Sequence, residues 1–238
     1  MTHQYRFIGK RSSSGLWTIE DSEKHHIKKV LRLDSGSIVE IADGLGKVAS
    51  GKLEIIDSKI EFIEHQFKTL NPPQNKLAVA VSFQNKKYFS DVISPLVELG
   101  FDDVYFYSQQ QTPKHFFEAK HQKKLHEVSL GAFKQSKRSF FCNLHFVEDL
   151  VSLAEEYPSC FLFDHIQGSE QKMTDLVLAQ SNLLIIGSEL GHDETTQNAL
   201  QKLPHVKSIK LLEETLRATT ATISISSWFA FLRFAGTI

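Results

Sequence analysis

Residues Asn182–Thr196, NLLIIGSELGHDETT, carry the types and spacing best suited to chemistry. An apolar run from Leu183 to Ile186 stops at Gly187, and Ser188, Glu189 and Gly191 form a short polar loop. Asp193 then stands where a helix would need its N-cap. A buried strand that ends in glycines and turns into a helix is how open α/β sheets build ligand sites beyond their carboxyl ends. The glycines expose backbone amides and Glu189 supplies a carboxylate. The pattern is neither GxGxxG nor a Walker loop, so a dinucleotide or a nucleoside triphosphate is not expected. The same spacing also suits a plain strand-to-helix turn with an incidental glutamate.

A second boundary follows at Ile209–Ala221, IKLLEETLRATTA. Here Thr219 or Thr220 would cap the last helix and present its first amides, with Arg217 beside them. Two basic stretches are separate candidates. Lys24–Arg32 alternates cations with apolar anchors, and Lys114–Arg138 carries seven Lys or Arg against Glu118 and Glu127. Such faces can neutralise phosphates or simply be solvated. The adjacent His25 and His26 point in different directions on a helix and have no third ligand nearby, so no metal site is expected. Asp164-His165 could form an acid/base pair or a surface loop, and no nucleophile elbow is visible.

These loops need a scaffold, and the chain divides at Thr69–Asn75, where Pro72 and Pro73 break regular structure. Before it, strands are expected at Leu16–Ile19, Ile38–Ala42, Val48–Ile56 and Lys59–Gln66, with a helix at Glu23–Leu31 capped by Asp21 or Ser22. This is a small β-barrel-like domain, residues 1–70. After the break, residues 76–238 alternate. Strands are expected at Leu77–Val81, Val104–Tyr107, Phe140–Leu144, Cys160–Phe163, Leu183–Ile186 and Val206–Lys210. Helices are expected at Tyr88–Leu99 (ending at Gly100), Pro113–Phe133, Val147–Glu156 and Thr219–Phe234. Alternation of this kind gives a parallel sheet covered by helices.

Composition narrows the functional classes. With 238 residues, 41% hydrophobic and 23% charged, the chain can bury a full core. The net charge of −1 excludes a general polycation, so nucleic-acid binding would rest on local patches. Cys142 and Cys160 form no CxxC and are expected as buried thiols. No stretch approaches the ~20 apolar residues of a membrane span, and the polar start lacks a secretory core. A cytoplasmic protein is expected.

Taken in order, the motifs resemble the RsmE family of bacterial ribosomal RNA methyltransferases, of the SPOUT class. Tyr5-Arg6-Phe7, the run His25-His26-Ile27-Lys28-Lys29-Val30-Leu31-Arg32-Leu33, and Asp43-Gly44-Leu45-Gly46 are similar to that family's RF, HHLxxVLRL and DGxG. Glu98-Leu99-Gly100, Gln135-Ser136-Lys137-Arg138, Ile186–Gly191 and Leu216–Ala221 resemble its ELG, QSGR, IGPEGG and LRTETA. The resemblance implies a PUA-like RNA-binding barrel followed by a SPOUT α/β domain with a C-terminal trefoil knot. It implies a homodimer that uses S-adenosylmethionine to methylate N3 of a uridine in 16S rRNA of the small ribosomal subunit. Carried over by position, Gly187, Ser188, Glu189, Gly191, Leu211, Leu216, Arg217, Ala218 and Thr220 would line the cofactor pocket. Arg217 would stabilise charge on the uracil and Glu189 would order the pocket. Arg6, His25, His26, Lys28, Lys29, Arg32 and Arg138 would contact RNA.

Departures cluster in the second domain. IGPEGG is IGSELG, LRTETA is LRATTA, QSGR is QSKR, and the SER-type motif reads Tyr107-Ser108-Gln109-Gln110. A second reading follows from them: a paralogue that binds RNA or the ribosome without methylating it.

Overall fold

The computed structural model describes residues 4–56, 59–82, 86–108, 118–163, 176–188, 191–210, 212, 214 and 216–236. The chain forms two compact units, residues 1–72 with 133–141 and residues 73–132 with 142–238.

The first unit contains β1 (Arg6–Arg11), β2 (Trp17–Ile19), α1 (Asp21–His25), a π-helical turn (His26–Leu31), β3 (Ile38–Ala42), β4 (Lys47–Ile56) and β5 (Lys59–Thr69). The strands lie in the order β2-β1-β3-β4-β5. β1 runs parallel to β3, and the other pairs are antiparallel. β2 meets β5, so the sheet nearly closes into a barrel. Glu64 is the joint. It accepts from Trp17 Nε1 at 2.8 Å and from Arg11 Nε and Nη2 at 3.1 Å each, while the Arg11 guanidinium lies 4.0 Å from the Phe67 ring centre. Phe7, Ile27, Ile41 and Leu53 fill the interior, and burying a side chain of this size contributes roughly 1.5–3 kcal/mol.

Two features here differ from the sequence reading. β1 was not anticipated, because RFIGKR mixes two buried apolar residues with cations and a glycine. The helix starts at Asp21 rather than Glu23 and widens to π geometry from His26. Its N-cap is Glu20, which makes no side-chain bond, so neither Asp21 nor Ser22 caps it.

The segment Phe133–Phe141 completes this unit, although the sequence places it far beyond the proline break. Gly46 N donates to Ser139 O and Phe141 N donates to Gly44 O, both at 2.9 Å. Gly44 has φ +70°, and a Cβ there would overlap the Phe141 ring. The DGLG turn is therefore a seat for two phenylalanines, which only glycine permits.

The second unit contains β6 (Lys76–Ser82), α2 (Lys86–Glu98), β7 (Asp103–Tyr107), α3 (Ala119–Ser136), whose last turn belongs to the first unit, and β8 (Asn143–Val147). It continues with α4 (Leu150–Glu155), β9 (Ser159–Phe163), β10 (Ser181–Ile186), α5 (Glu194–Gln201), β11 (Val206–Ile209) and α6 (Ala218–Phe234). The sheet is wholly parallel, in the order β11-β9-β10-β6-β7-β8. β6, β9 and β10 read as continuous apolar runs because helices cover both faces. Gly100, at φ +92°, ends α2 as expected. β8 and α4 begin about three residues later than the sequence suggests. Asp149 sets the second boundary, accepting from Val151 N at 2.9 Å and Ser152 N at 3.1 Å. The expected α3 start at Pro113 lies outside the described residues.

Candidate functional site

The sheet has one topological switch point. From β6 the chain moves outward through β7 and β8; from β10 it moves the other way to β11. β6 and β10 are neighbours, with Val81 level with Ile186, so their carboxyl ends open a crevice where α/β sheets bind ligands. Gly187 and Ser188 stand at that point.

Helix α6 brings the second motif to the same edge. Its C-terminal Arg233 donates to Asp102 Oδ2 at 2.9 Å and to the carbonyls of Asn75 and Gly100, all at the amino ends of β6 and β7. The helix packs on β6 and β10. Its 17 residues span about 25 Å at 1.5 Å per residue. The seven residues of β6 span about 23 Å. The start of α6 therefore sits at the carboxyl edge, beside the crevice. Thr222, one turn in, shares a 2.9 Å bond with Tyr88 of α2, whose hydroxyl burial pushes up to about 12.

The loop after β10 is pinned at both ends. Gly191 N donates to Ser188 O, and Ser188 Oγ donates to Gly191 O, each at 2.9 Å. Gly191 holds φ +75°, which suits glycine. Ser188 thus closes by a hydrogen bond a turn that the IGPEGG pattern stiffens with proline. Asp193 caps α5 as expected, accepting from Thr196 N at 2.9 Å. That backbone bond helps hold its carboxyl below the usual range.

The start of α6 corrects one expectation. Its N-cap is Arg217, not Thr219 or Thr220, and the Arg217 side chain makes no capping hydrogen bond. First-turn amides have no partner within their own helix and can serve a ligand or water. Arg217 is exposed and makes no ion pair among the described residues. A cation at a helix N-terminus opposes the macrodipole. Ala218 is buried, Leu216 half-buried and Thr220 exposed. Glu189, Leu190, Leu211 and Asp164-His165 lie outside the described residues. Small residues, a glycine loop and uncapped amides suit a ligand with carboxylate and ring-nitrogen acceptors.

The basic residues divide. Arg6 is only 7% exposed; Nε and Nη2 hold Glu40 Oε2 at 3.2 and 3.1 Å, and Nη1 donates to the Arg138 carbonyl. Its guanidinium serves the barrel rather than an open surface. His25, Lys29 and Arg32 are exposed, and His26, Lys28 and Arg138 half-buried. Lys137 occupies the glycine position of QSGR at φ +57° and places Nζ 3.3 Å from Glu40. In the second unit, Ser90, Lys120, His121, Lys123, Lys124, Leu125 and Glu127 surround a cavity of about 620 Å³. Among the described residues there is no cluster of metal-ligating side chains, and no helix is long and apolar enough to cross a membrane.

A switch-point crevice flanked by a glycine loop and an uncapped helix, in a chain that also carries a small barrel, defines a cofactor-using α/β enzyme with an appended domain. The family model for the RNA methyltransferase domain matches residues 71–230, and that for the RNA methyltransferase PUA domain matches residues 19–64. The chain belongs to this RNA methyltransferase family, in its RsmE branch. It is 26% identical over 224 residues to ribosomal RNA small subunit methyltransferase E of Mesomycoplasma hyopneumoniae, covering 92% of this chain and 96% of that protein. Ribosomal RNA small subunit methyltransferase E of Neisseria gonorrhoeae, solved with S-adenosyl methionine, superposes with TM-score 0.83 at 18% identity. That match covers 97% of this chain and 98% of the other. A Legionella pneumophila protein assigned as a methyltransferase, solved with the same cofactor, gives 0.78 at 17% identity, over 99% and 98%. These two likenesses establish the fold.

Proposed function

We propose that this protein is an S-adenosylmethionine-dependent methyltransferase acting on N3 of a uridine in 16S rRNA of the small subunit. The carrying observation is the convergence of the Gly187 loop and the Arg217 helix start on one switch-point crevice. The cofactor supplies an electrophilic methyl group on a sulfonium. Gly187, Ser188 and Gly191, with Leu216, Ala218, Thr220 and the first amides of α6, would hold it, joined by Leu211 and Glu189.

Uridine N3 is a weakly acidic imide, so its proton must leave as the methyl group arrives. Help of that kind is worth ~10²–10⁴-fold. Arg217, exposed and free of an ion pair among the described residues, is the cation that would steady negative charge on the uracil oxygens. Glu189 would order the pocket. His25, His26, Lys28, Lys29, Arg32 and Arg138, with the lysines around the α3 cavity, would meet RNA phosphates. Arg6 would act indirectly, by holding Arg138.

The active form is proposed to be a homodimer with a trefoil knot around the cofactor loops. Trp228, Phe231 and Phe234 make an exposed apolar stripe on α6, 36%, 61% and 90% exposed, which a second copy would cover. Calorimetric titration with S-adenosylmethionine, then methyl transfer to small-subunit particles with the product base mapped by mass spectrometry, tests the proposal. Binding with transfer to uridine N3 is expected. A folded protein that takes up no cofactor yet binds the particles would favour the non-methylating paralogue.

A further inference from the structure

The crevice contains a buried pair whose contact neither residue's own motif signals. Tyr107, the last residue of β7, is 1% exposed, and His192, just after Gly191, is 8% exposed. Tyr107 Oη lies 3.1 Å from the Ile186 carbonyl and 2.8 Å from His192 Nε2. The two rings are nearly parallel, at 5°, with centres 6.0 Å apart.

The donor order follows from valence. A carbonyl oxygen only accepts, so the single hydroxyl hydrogen of Tyr107 goes to Ile186 O. The phenol oxygen must then accept from His192, which requires a proton on Nε2. The chain runs from imidazole to phenol to the carbonyl at the end of β10. Because each bond polarises the next in a site closed to water, the two act as one unit.

The same imidazole also fixes the loop's entry. A Cβ on Gly187 would stand 2.9 Å from His192 Cε1 and 3.0 Å from Nδ1. His192 thus packs against the residue that opens the loop while itself following the residue that closes it. Tyr107 sets the plane of the Ile186–Gly187 peptide, since rotating that peptide would break its bond to Ile186 O.

We propose that Tyr107 and His192 are positioning residues for the methyl donor, holding the two ends of the Gly187–Gly191 loop at the separation the cofactor needs. This rests on the proposed cofactor. Neither side chain is assigned contact with the reacting atoms.

The test measures S-adenosylmethionine affinity by calorimetry for wild type, Tyr107→Phe, His192→Leu and His192→Gln, alongside the His192 tautomer by nitrogen-15 NMR without ligand. Wild type should show a proton on Nε2. Tyr107→Phe and His192→Leu should weaken binding about tenfold, as expected for a lost buried hydrogen bond. His192→Gln, which keeps an N–H donor within reach of Tyr107, should recover most of the affinity. Tyr107→Phe removes one oxygen and keeps the core ring, so it reports even if His192→Leu does not fold. Unchanged affinity in Tyr107→Phe, an Nδ1–H tautomer, or a His192→Gln defect equal to that of His192→Leu would overturn the positioning role and leave the proposed function intact. Absence of binding by wild type would overturn both.

Discussion

The barrel keeps its family-like motifs nearly whole, while the crevice has changed most of its own, and the structure reverses the obvious interpretation of that contrast. Several barrel motifs turn out to be architecture. Arg6 is locked to Glu40 and the Arg138 carbonyl, and Gly44 and Gly46 seat Phe141 and Phe140. In the crevice, substitutions meet local replacements. Ser188 bonds Gly191 where proline would stiffen the turn; at the barrel's own altered position, Lys137 takes a left-handed conformation while reaching Glu40. A motif survives where packing leaves no alternative; it drifts where a neighbour can supply the missing constraint.

The largest expected effect lies in the crevice. Arg217→Ala should lower single-turnover methyl transfer by about 10²–10³-fold, the scale of losing one charge-stabilising group. Cofactor affinity should change little, and the melting point should not fall, because the cation opposes the helix dipole. Equal losses of binding and turnover would remove Arg217 from its proposed role.

The barrel should respond through stability. Arg6→Ala leaves Glu40 with Lys137 alone as ion-pair partner among the described residues and should cost about 3 kcal/mol in urea unfolding, at the low end for a broken buried pair. Lys29→Ala should leave unfolding unchanged and reduce the salt slope of RNA binding by about one. If Arg6→Ala unfolds like wild type and binds RNA weakly, the division of the basic residues is wrong.

A pH effect should come next in size. Burial raises the Asp103 carboxyl, but hydrogen bonds from His145 at 2.8 Å and Asn143 at 3.1 Å more than offset it, leaving it below the usual range. A depressed folded-state value stabilises the protein above the unfolded pKa of ~3.9 and loses that contribution as pH falls through the folded value. Denaturation curves of Asp103→Asn should therefore lie below wild type at neutral pH and converge with it in acid. Smallest is Lys137→Gly. Relief of the left-handed conformation, about 1–2 kcal/mol, opposes the lost exposed ion pair, ~0–1 kcal/mol. Calorimetric melting should show a slight gain.

What could be read from the sequence was local. β3 and the β4–β5 alternation, the buried runs of β9 and β10, the end of α2 at Gly100 and the Asp193 cap all announce themselves within a few residues. The two candidate loops could be named because strand, glycine and helix are adjacent in the chain. Non-local facts stayed hidden. Nothing in RFIGKR signals its parallel partner β3, and nothing in KQSKRSFF shows that it closes a barrel begun more than a hundred residues earlier. Tyr107 and His192 stand 85 positions apart, so their hydrogen bond has no signature in either segment. Arg217 as N-cap also defies propensity, which favours the neighbouring threonines.

The discontinuous barrel has a consequence for the growing chain. Synthesis delivers β1 to β5 first, yet the pieces that satisfy them arrive with residues 133–141. Until then Gly44 and Gly46 present bare backbone, the Arg6 guanidinium lacks its carbonyl, and the buried Glu23 carboxylate waits for Lys134 at 2.8 Å. A nascent first domain is thus a half-built vessel, open along one seam. It can be sealed only after α2, β7 and most of α3 have been made, and the order of translation obliges the two units to mature together.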